Sequence, residues 1–459
     1  MSRDTKRKSR QNIDLDKKRS QKNTENMSPA RRKRVEKKRK QRRRKFLIRR
    51  IVLLAILITI IFIATKAIVN SLYSYKKMGY PAFRDEVLDS IGSEVFVSPS
   101  ENRSLSAAEK ITDFDDLYDV ISKNYAVDKL NTKDFLEFSN QYQNFRKKIA
   151  ASKTDQDYYS ILNQYLEVLD DTRTFVIDKQ TYDSLFDYYR NKGKSPQKTV
   201  LENPQAVDRY KRLLENANID KPSMQISKAE NNVATITLKD FRANEVDGDI
   251  KKITDFFRDN GPIGTIILDL SDNNSIDDTY WIELSKILMA NDYHEDNMVF
   301  YRSKLFHDSL ANFKEDENSP YKTAYVKNDS SKYPDEIGLI DPNQYLYYDQ
   351  LSLDIKRNIE YAVRKIYVLT NENTANEAIK FARVLQTNGA YIVKNALESA
   401  RTHKDVIYNA PSNLYILEHS GLIVSINSSF SKNEENLYLE YDQKINSKEP
   451  INSMLNILR

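Results

Sequence analysis

Residues 365–382, Lys-Ile-Tyr-Val-Leu-Thr-Asn-Glu-Asn-Thr-Ala-Asn-Glu-Ala-Ile-Lys-Phe-Ala, read as a strand, a sharp turn and a helix. Ile366 to Leu369 is a short, partly β-branched apolar run, the pattern of a strand covered on both faces. Such a strand needs helices above and below it, which limits the chain to a layered α/β architecture. Thr374, with Glu377 three residues on, predicts a capping box, and Ile379, Phe381, Ala382 and Leu385 follow at helical spacing. The same place has a second reading. Helix N-terminal amides after a strand can face developing negative charge, so a hydroxyl there is a candidate nucleophile. Thr374 is read as a cap on the first account and as a nucleophile on the second.

Charge divides the chain in two. Residues 1–50 hold 23 Lys and Arg against 5 Asp and Glu, and the remainder holds 49 against 61. Between these environments Ile51 to Thr65 carries no charge, and the run extends to Val69 with Lys66 as its one ionisable residue. At about 1.5 Å per residue this run spans roughly 28 Å, about the thickness of a bilayer core. The basic excess predicts a single-pass transmembrane helix over 47–69, its N-terminus cytoplasmic and all later residues outside. Residues 1–46 form a basic tail without apolar periodicity, expected to be disordered and to attract anionic lipid. Nucleic acid is disfavoured as a partner, because no aromatic residues interleave the basic ones. The chain has no cysteine, so no disulfide framework exists. A cysteine-free ectodomain in a chain rich in Lys, Asn and Ile and poor in Gly suits the plasma membrane of a Gram-positive bacterium.

A juxtamembrane stalk is expected over 70–107 and a helical subdomain over 108–190. Phe114, Leu117, Tyr118, Ile121 and Tyr125 recur at helix spacing, and further helices are expected at 135–149 and 155–169. Residues 191–230 read as a polar connector. An α/β core then runs over 231–459, with strands at 233–238, 264–270, 298–301, 366–369 and 390–393 and helices at 249–257 and 279–288 between them. Residues 302–350 have the character of an insertion, and short strands are expected near 413–417, 421–426 and 437–441. The four histidines, His294, His307, His403 and His419, have no metal-ligand spacing, and no phosphate loop or dinucleotide fingerprint is present. No metal or cofactor is therefore expected. The 29 tyrosines are expected chiefly as half-buried packing residues.

Several segments, in order, resemble the C-terminal-processing, or tail-specific, serine peptidase family, with its tricorn-core and retinoid-binding relatives. Leu169-Asp-Asp-Thr-Arg-Thr-Phe-Val176 is similar to the family's Leu-Gly-Asp-Gly-His-Thr-Ser-Leu. Ile266-Ile-Leu-Asp-Leu-Ser-Asp-Asn-Asn-Ser-Ile276 is similar to Ile-Ile-Leu-Asp-Leu-Arg-Gly-Asn-Gly-Gly-Gly. Thr374-Ala-Asn-Glu377 is similar to the nucleophile segment Ser-Ala-Gly-Glu, and Glu440-Tyr-Asp-Gln and Glu449 to Arg459 are similar to the closing strand and helix. The resemblance runs from about Ile111 to the C-terminus. It implies a helical subdomain plus a mixed, partly parallel sheet core. The 40 residues at 191–230 are too few for the PDZ domain that many members carry there.

The departures from the family pattern fall on its chemistry. Thr374 stands at the serine nucleophile. The family's lysine base belongs near Glu398-Ser399-Ala400, where no lysine stands, and Lys394 and Lys404 flank that place as alternative bases. The tricorn-like histidine position is Arg173, which cannot accept a proton. The glycine-rich oxyanion turn reads Asn273-Asn274-Ser275-Ile276, and the arginine after Asp-Leu is Ser271. The resemblance therefore implies a membrane-anchored pseudopeptidase that binds peptide tails or partner proteins in the cell envelope. An active peptidase using Thr374, and a non-catalytic envelope scaffold, are the alternatives.

Overall fold

The chain divides into two units, Met1–Val97 and Ser98–Arg459. The computed structural model describes residues 104–459 apart from 194, 214–221, 229–231, 312–319, 326–337, 397–404, 432–436 and 459, together with isolated positions between Pro29 and Arg50. Those isolated positions are helical and exposed, where the sequence reading expects disorder. Lys and Arg are good helix formers, and a basic run can be helical without any apolar face. Among the described residues no helix is long and apolar enough to cross a membrane. Of the expected span 47–69, all but Arg50 lies outside them, as does the stalk up to residue 103.

The second unit opens with three helices, α1 (Ala107–Asn124), α2 (Thr132–Ala151) and α3 (Asp155–Leu166). Ser106 and Glu109 form a capping box at the start of α1, as Thr154 and Asp157 do for α3. Their apolar faces meet through aromatic rings. Tyr165 stacks on Phe138 with centroids 4.2 Å apart and lies 4.9 Å from Phe114. Tyr125, Tyr158 and Tyr165 are fully buried here, deeper than the half-buried packing role expected of tyrosine. Buried Asp113 of α1 accepts from the amides of His419 and Ser420, so the helices share one core with the C-terminal region.

Next come β1 (Phe175–Val176), α4 (Lys179–Tyr189), α5 (Pro196–Leu201), α6 (Pro204–Arg212) and β2 (Met224–Lys228). The stretch read as a connector thus contains two helices and a strand. Both helices carry Pro at their first position and a side-chain cap, Ser195 or Asn203.

The core alternates as its sequence pattern predicts. Its elements are β3 (Val233–Leu238), α7 (Val246–Asp259), β4 (Thr265–Asp269), α8 (Thr279–Leu288), β5 (Tyr293–Tyr301), α9 (Lys304–Ala311), β6 (Tyr321–Tyr325), β7 (Tyr347–Ile355), β8 (Lys365–Asn371), α10 (Glu377–Thr387) and β9 (Tyr391–Asn395). After these come β10 (Asn413–Ile416), β11 (Ile423–Ile426), β12 (Gln443–Ile445) and α11 (Pro450–Ile457). The main sheet has six strands in the order β12-β9-β8-β4-β3-β2, all parallel except β2. Side chains alternate across it. Ile366 and Val368 join the large core with Trp281 of α8 and Phe381 of α10, whereas Ile267, Leu369 and Val393 pack on Met454 of α11. Two smaller sheets, β5-β7-β6 and β1-β11-β10, flank it.

Two expectations are corrected. Part of the stretch read as an insertion forms β7, which pairs with β5 over nine residues from Tyr293↔Ile355 to Tyr301↔Tyr347. Its alternating burial shows the strand period, which its tyrosines and acids mask in the sequence. The strand expected at 437–441 is reduced to a single bridge, Val406↔Tyr438, and the ladder forms later, where β12 pairs with β9.

Candidate functional site

The C-terminal ends of β4 and β8 lie side by side, with Asp269 in register with Leu369. In open α/β sheets this edge is where ligands bind. After β4 the chain turns through 270–278 into α8, and after β8 it turns through 372–376 into α10. The two turns are bonded to each other. Leu270 N–H donates to the Leu369 carbonyl at 2.8 Å, and Asp272 N–H donates to Asn371 Oδ1 at 3.0 Å. Asp272 Oδ1 in return accepts from the side-chain amides of Asn371 and Asn373. Together with Lys239, these donors hold the Asp272 carboxyl below its ordinary range, although burial opposes them.

Thr374 sits inside this join and is 1% exposed. Its Oγ1 accepts from Asn371 N–H at 2.9 Å. Its one proton is shared between the Leu270 carbonyl at 3.0 Å and Asn371 Oδ1 at 3.1 Å. The expected capping box is not formed. The helix begins at Glu377, its N-cap is Asn376 with no side-chain cap bond, and Glu377 N–H donates to the Ser275 carbonyl. Thr374 therefore stands too early in the chain to cap α10, and its hydroxyl closes the Asn371–Thr374 turn instead.

The turn read as an oxyanion station is bonded in the same way. Ala375 N–H, the amide next to the candidate nucleophile, donates to the Asn273 carbonyl at 2.9 Å. Asn273 is fully buried, donating to the Leu238 carbonyl and accepting from Ser275 N–H. Ser275 Oγ accepts from Phe241 N–H. Asn376 ties three segments together: Thr172 Oγ1 donates to its Oδ1 at 2.6 Å, and its Nδ2 donates to the carbonyls of Thr172 and Asn274 at 2.9 Å.

Asn376 has φ 54° and ψ −123°, a backbone region that belongs to glycine. Asp170 and Asp272 also have positive φ, at 46° and 66°. All three stand where the family motifs they resemble carry glycine. These non-glycine residues adopt backbone bends that glycine makes easy. Asn376→Gly and Asn376→Ala both lose the three side-chain bonds, but only alanine retains the backbone strain. Chemical denaturation should therefore rank the wild type above glycine, and glycine above alanine by about 1–2 kcal/mol. Equal stability of the two variants would show that the turn relaxes.

Arg173, at the histidine position, is 1% exposed. Its guanidinium donates to the Ala410 carbonyl at 2.9 Å, to Ser412 Oγ at 2.9 Å and to Glu377 Oε1 at 3.3 Å, and it lies over the Tyr408 ring at 4.5 Å. Glu377 Oε2 accepts from Trp281 Nε1 at 3.0 Å. One helical turn on, buried Lys380 bonds Glu295 and donates to Asn409 Oδ1 at 2.8 Å. Arg173 is thus a structural cation locked by its neighbours, with no proton-accepting atom.

Burial pushes the Glu377 carboxyl up to about 7, while Arg173, the Trp281 N–H and Lys380 pull it down and Asp277 adds to the rise. The unfolded chain releases this proton near pH 4.5, whereas the folded chain keeps it until about 7. This group's contribution is therefore full below pH 4.5 and is lost as pH rises through 7. Glu377→Gln lacks that titration. Thermal denaturation from pH 4.5 to 7.5 should show the variant gaining stability relative to wild type as pH rises. A difference constant with pH would contradict the raised carboxyl.

Lys394, on β9, donates to Asp405 at 2.7 Å and lies 3.2 Å from Glu372, with the Tyr441 ring 5.1 Å away. The hydrogen bonds of Thr374 go to Asn371 and Leu270, and Lys394 is not among their partners. Lys404, Ser399 and Ala400 lie outside the described residues. His294 is exposed between Asp354 and Asp296, and among the described residues no cluster could hold a metal ion. The structure thus brings Arg173, Asn273, Asn274, Ser275 and Thr374 together and leaves Lys394 in a separate ion-paired cluster. Asn376 and Trp281 are the site residues that sequence reasoning passed over, and Glu377, read as half of a capping box, instead bonds Arg173 and Trp281. The signal for Asn376 was the glycine opposite it in the resembled motif.

No family model matches the sequence, and no curated protein matches it. Among solved structures, the chain is similar to a protein from Parabacteroides merdae proposed to be a peptidase, at 13% identity and TM-score 0.40, covering 77% of this chain and 97% of that one. It is similar to a lipoprotein from Streptococcus agalactiae at 13% identity and TM-score 0.40, covering 80% and 98%. It is also similar to mature CPAF in complex with lactacystin, at 11% identity and TM-score 0.43, covering 77% and 97%.

Proposed function

We propose that this chain is a membrane-anchored pseudopeptidase, with the layout of a tail-specific peptidase and without its chemistry. The observation that carries the reading is the saturation of the reacting groups. The Thr374 hydroxyl and the Ala375 amide both bond to the turn after β4, and neither is free to meet a substrate carbonyl. A nucleophile needs a base within reach and an oxyanion needs open donors about 2.7–3.1 Å away. Arg173 replaces the histidine, and Lys394 is engaged by two carboxylates. Loss of one such group commonly costs several orders of magnitude in rate.

What such a fold retains is a surface for extended chains. The six-stranded sheet ends at β2 and β12, and an unstructured C-terminal tail could add to such an edge as a further strand. The full chain should bind a fluorescent unstructured peptide without cutting it, and Thr374→Ala should leave the peptide equally intact over hours. Turnover abolished by Thr374→Ala would sink the proposal and favour an active peptidase. Absence of both binding and turnover would favour a scaffold.

The anchor belongs to the same proposal: the span 47–69 with the basic tail inside. A chain with no native cysteine allows a clean test. In intact cells, Ser98→Cys should react with a membrane-impermeant maleimide and Ser20→Cys should not. The reverse labelling would overturn the orientation, and labelling of both would overturn the span.

A further inference from the structure

The turn between β7 and β8, residues 356–364, displays apolar side chains on a bonded frame. Ile359 is 82% exposed, the most of any large apolar side chain among the described residues, and Val363 is 56% exposed. The backbone beneath them is tied down. Arg357 N–H donates to Asp292 Oδ1 at 2.9 Å, Asn358 N–H to the Lys286 carbonyl at 2.7 Å and Glu360 N–H to Asn358 Oδ1 at 3.0 Å. The Arg357 guanidinium donates to the Tyr361 carbonyl at 2.8 Å, and that of Arg364 lies over the Phe257 ring at 3.9 Å. A turn bonded at so many points holds Ile359 in water, where an aliphatic side chain is unfavourable, instead of letting it fold back onto the core.

Charge narrows what can cover it. Residues 356–365 hold four cations, Lys356, Arg357, Arg364 and Lys365, against Glu360, whereas the chain beyond residue 50 carries 49 Lys and Arg against 61 Asp and Glu. Lys356 pairs with Asp292 at 3.1 Å and keeps a largely exposed side chain, and Lys365 lies over the Tyr367 ring at 4.9 Å. Tyr367 in turn meets Tyr391, partly exposed at the start of β9, with centroids 5.5 Å apart. Aliphatic tips, flanking cations and a tyrosine are the components of an interfacial membrane contact, in which apolar groups enter the headgroup region and cations meet anionic lipid. An acidic protein surface would match the cations but would set Ile359 against charge.

We propose that the 356–365 turn docks the Ser98–Arg459 unit on an anionic lipid surface, with Ile359 and Val363 entering it and Lys356, Arg364 and Lys365 at the headgroups. The inference rests on the anchored reading above, since the anchor supplies the surface. Fully extended, residues 70–103 span at most roughly 110 Å, and a tether of that length keeps the turn at a high local concentration near the bilayer, so a weak contact suffices. Docking also orients the molecule. The turn stands at the start of β8 and Thr374 lies just beyond its end, seven strand residues away. At about 3.3 Å per residue that is roughly 23 Å, and the docked molecule turns its candidate site away from the membrane.

The test uses the full chain in vesicles of phosphatidylcholine and phosphatidylglycerol in equal parts. With no native cysteine, Ile359→Cys and Asn373→Cys each carry one environment-sensitive nitrobenzoxadiazole dye. The dye at 359 should shift to the blue and be quenched by lipids with a doxyl group on the acyl chain, and the dye at 373 should stay in water. Quenching at 359 should fall in vesicles of phosphatidylcholine alone. Lys356→Gln with Lys365→Gln should lower the docked-to-free ratio about twentyfold, from about fivefold per cation. Circular dichroism establishes that each variant is folded, and Lys356→Gln alone decides if the pair does not fold. A chain that floats with the vesicles while its dye at 359 stays in water would overturn docking and leave the anchor standing. Quenching at 359 followed by release of the chain at about 1 M salt, where the screening length is about 3 Å, would support docking and overturn the anchor. Equal quenching without anionic lipid, quenching at 373, or an unchanged ratio in the folded lysine variants would overturn the proposal.

Discussion

The Ala375 amide has one hydrogen to give, and it gives it to the Asn273 carbonyl. Much else follows from that bond. It fixes the turn after β8 against the turn after β4, and the neighbouring bond from Glu377 N–H to the Ser275 carbonyl repeats the contact one step further along. Thr374 is enclosed where the two turns meet, so its hydroxyl finds backbone partners instead of solvent. Backbone amides at a helix start must be satisfied somewhere. In this chain they are satisfied from a neighbouring loop.

The charges behind the turn reinforce this closure. Arg173, Glu377 and Lys380 are all buried, and each is bonded on several sides. Such networks contribute little net stability compared with an apolar core, but removing one member leaves a charge stranded. Arg173 reaches from the end of the helical subdomain to α10 and to the segment at 410–412. Arg173 therefore serves as a rivet between three parts of the fold.

The sequence showed most of the main sheet, because β3, β4 and β8 are covered on both faces and bordered by periodic helices. α8 was placed residue for residue at Thr279–Leu288. The turns were harder. Thr374 and Glu377 have the spacing of a capping box, and only the backbone shows that the helix waits until Glu377 and that Asn376 takes a glycine conformation. Sequence identifies the residue types at a turn, but φ is decided by the neighbouring loop with which it pairs. β7 was missed for a related reason, since its outward acids and tyrosines make a paired strand look like a polar insertion. The individual departures at Arg173, Asn274 and Thr374 were legible. Their mutual satisfaction was not, because it depends on hydrogen bonds between residues far apart in the chain, such as Thr172 with Asn376 and Arg173 with Ser412.

The most direct measurement is covalent labelling of the full chain with a fluorophosphonate probe, followed by peptide mapping. A hydroxyl held by Leu270 and Asn371 should leave the peptide containing Thr374 unmodified at probe concentrations that label an active serine hydrolase to completion. Stoichiometric modification at Thr374 would mean that the site opens and that a base reaches it, and it would contradict a closed, non-catalytic site.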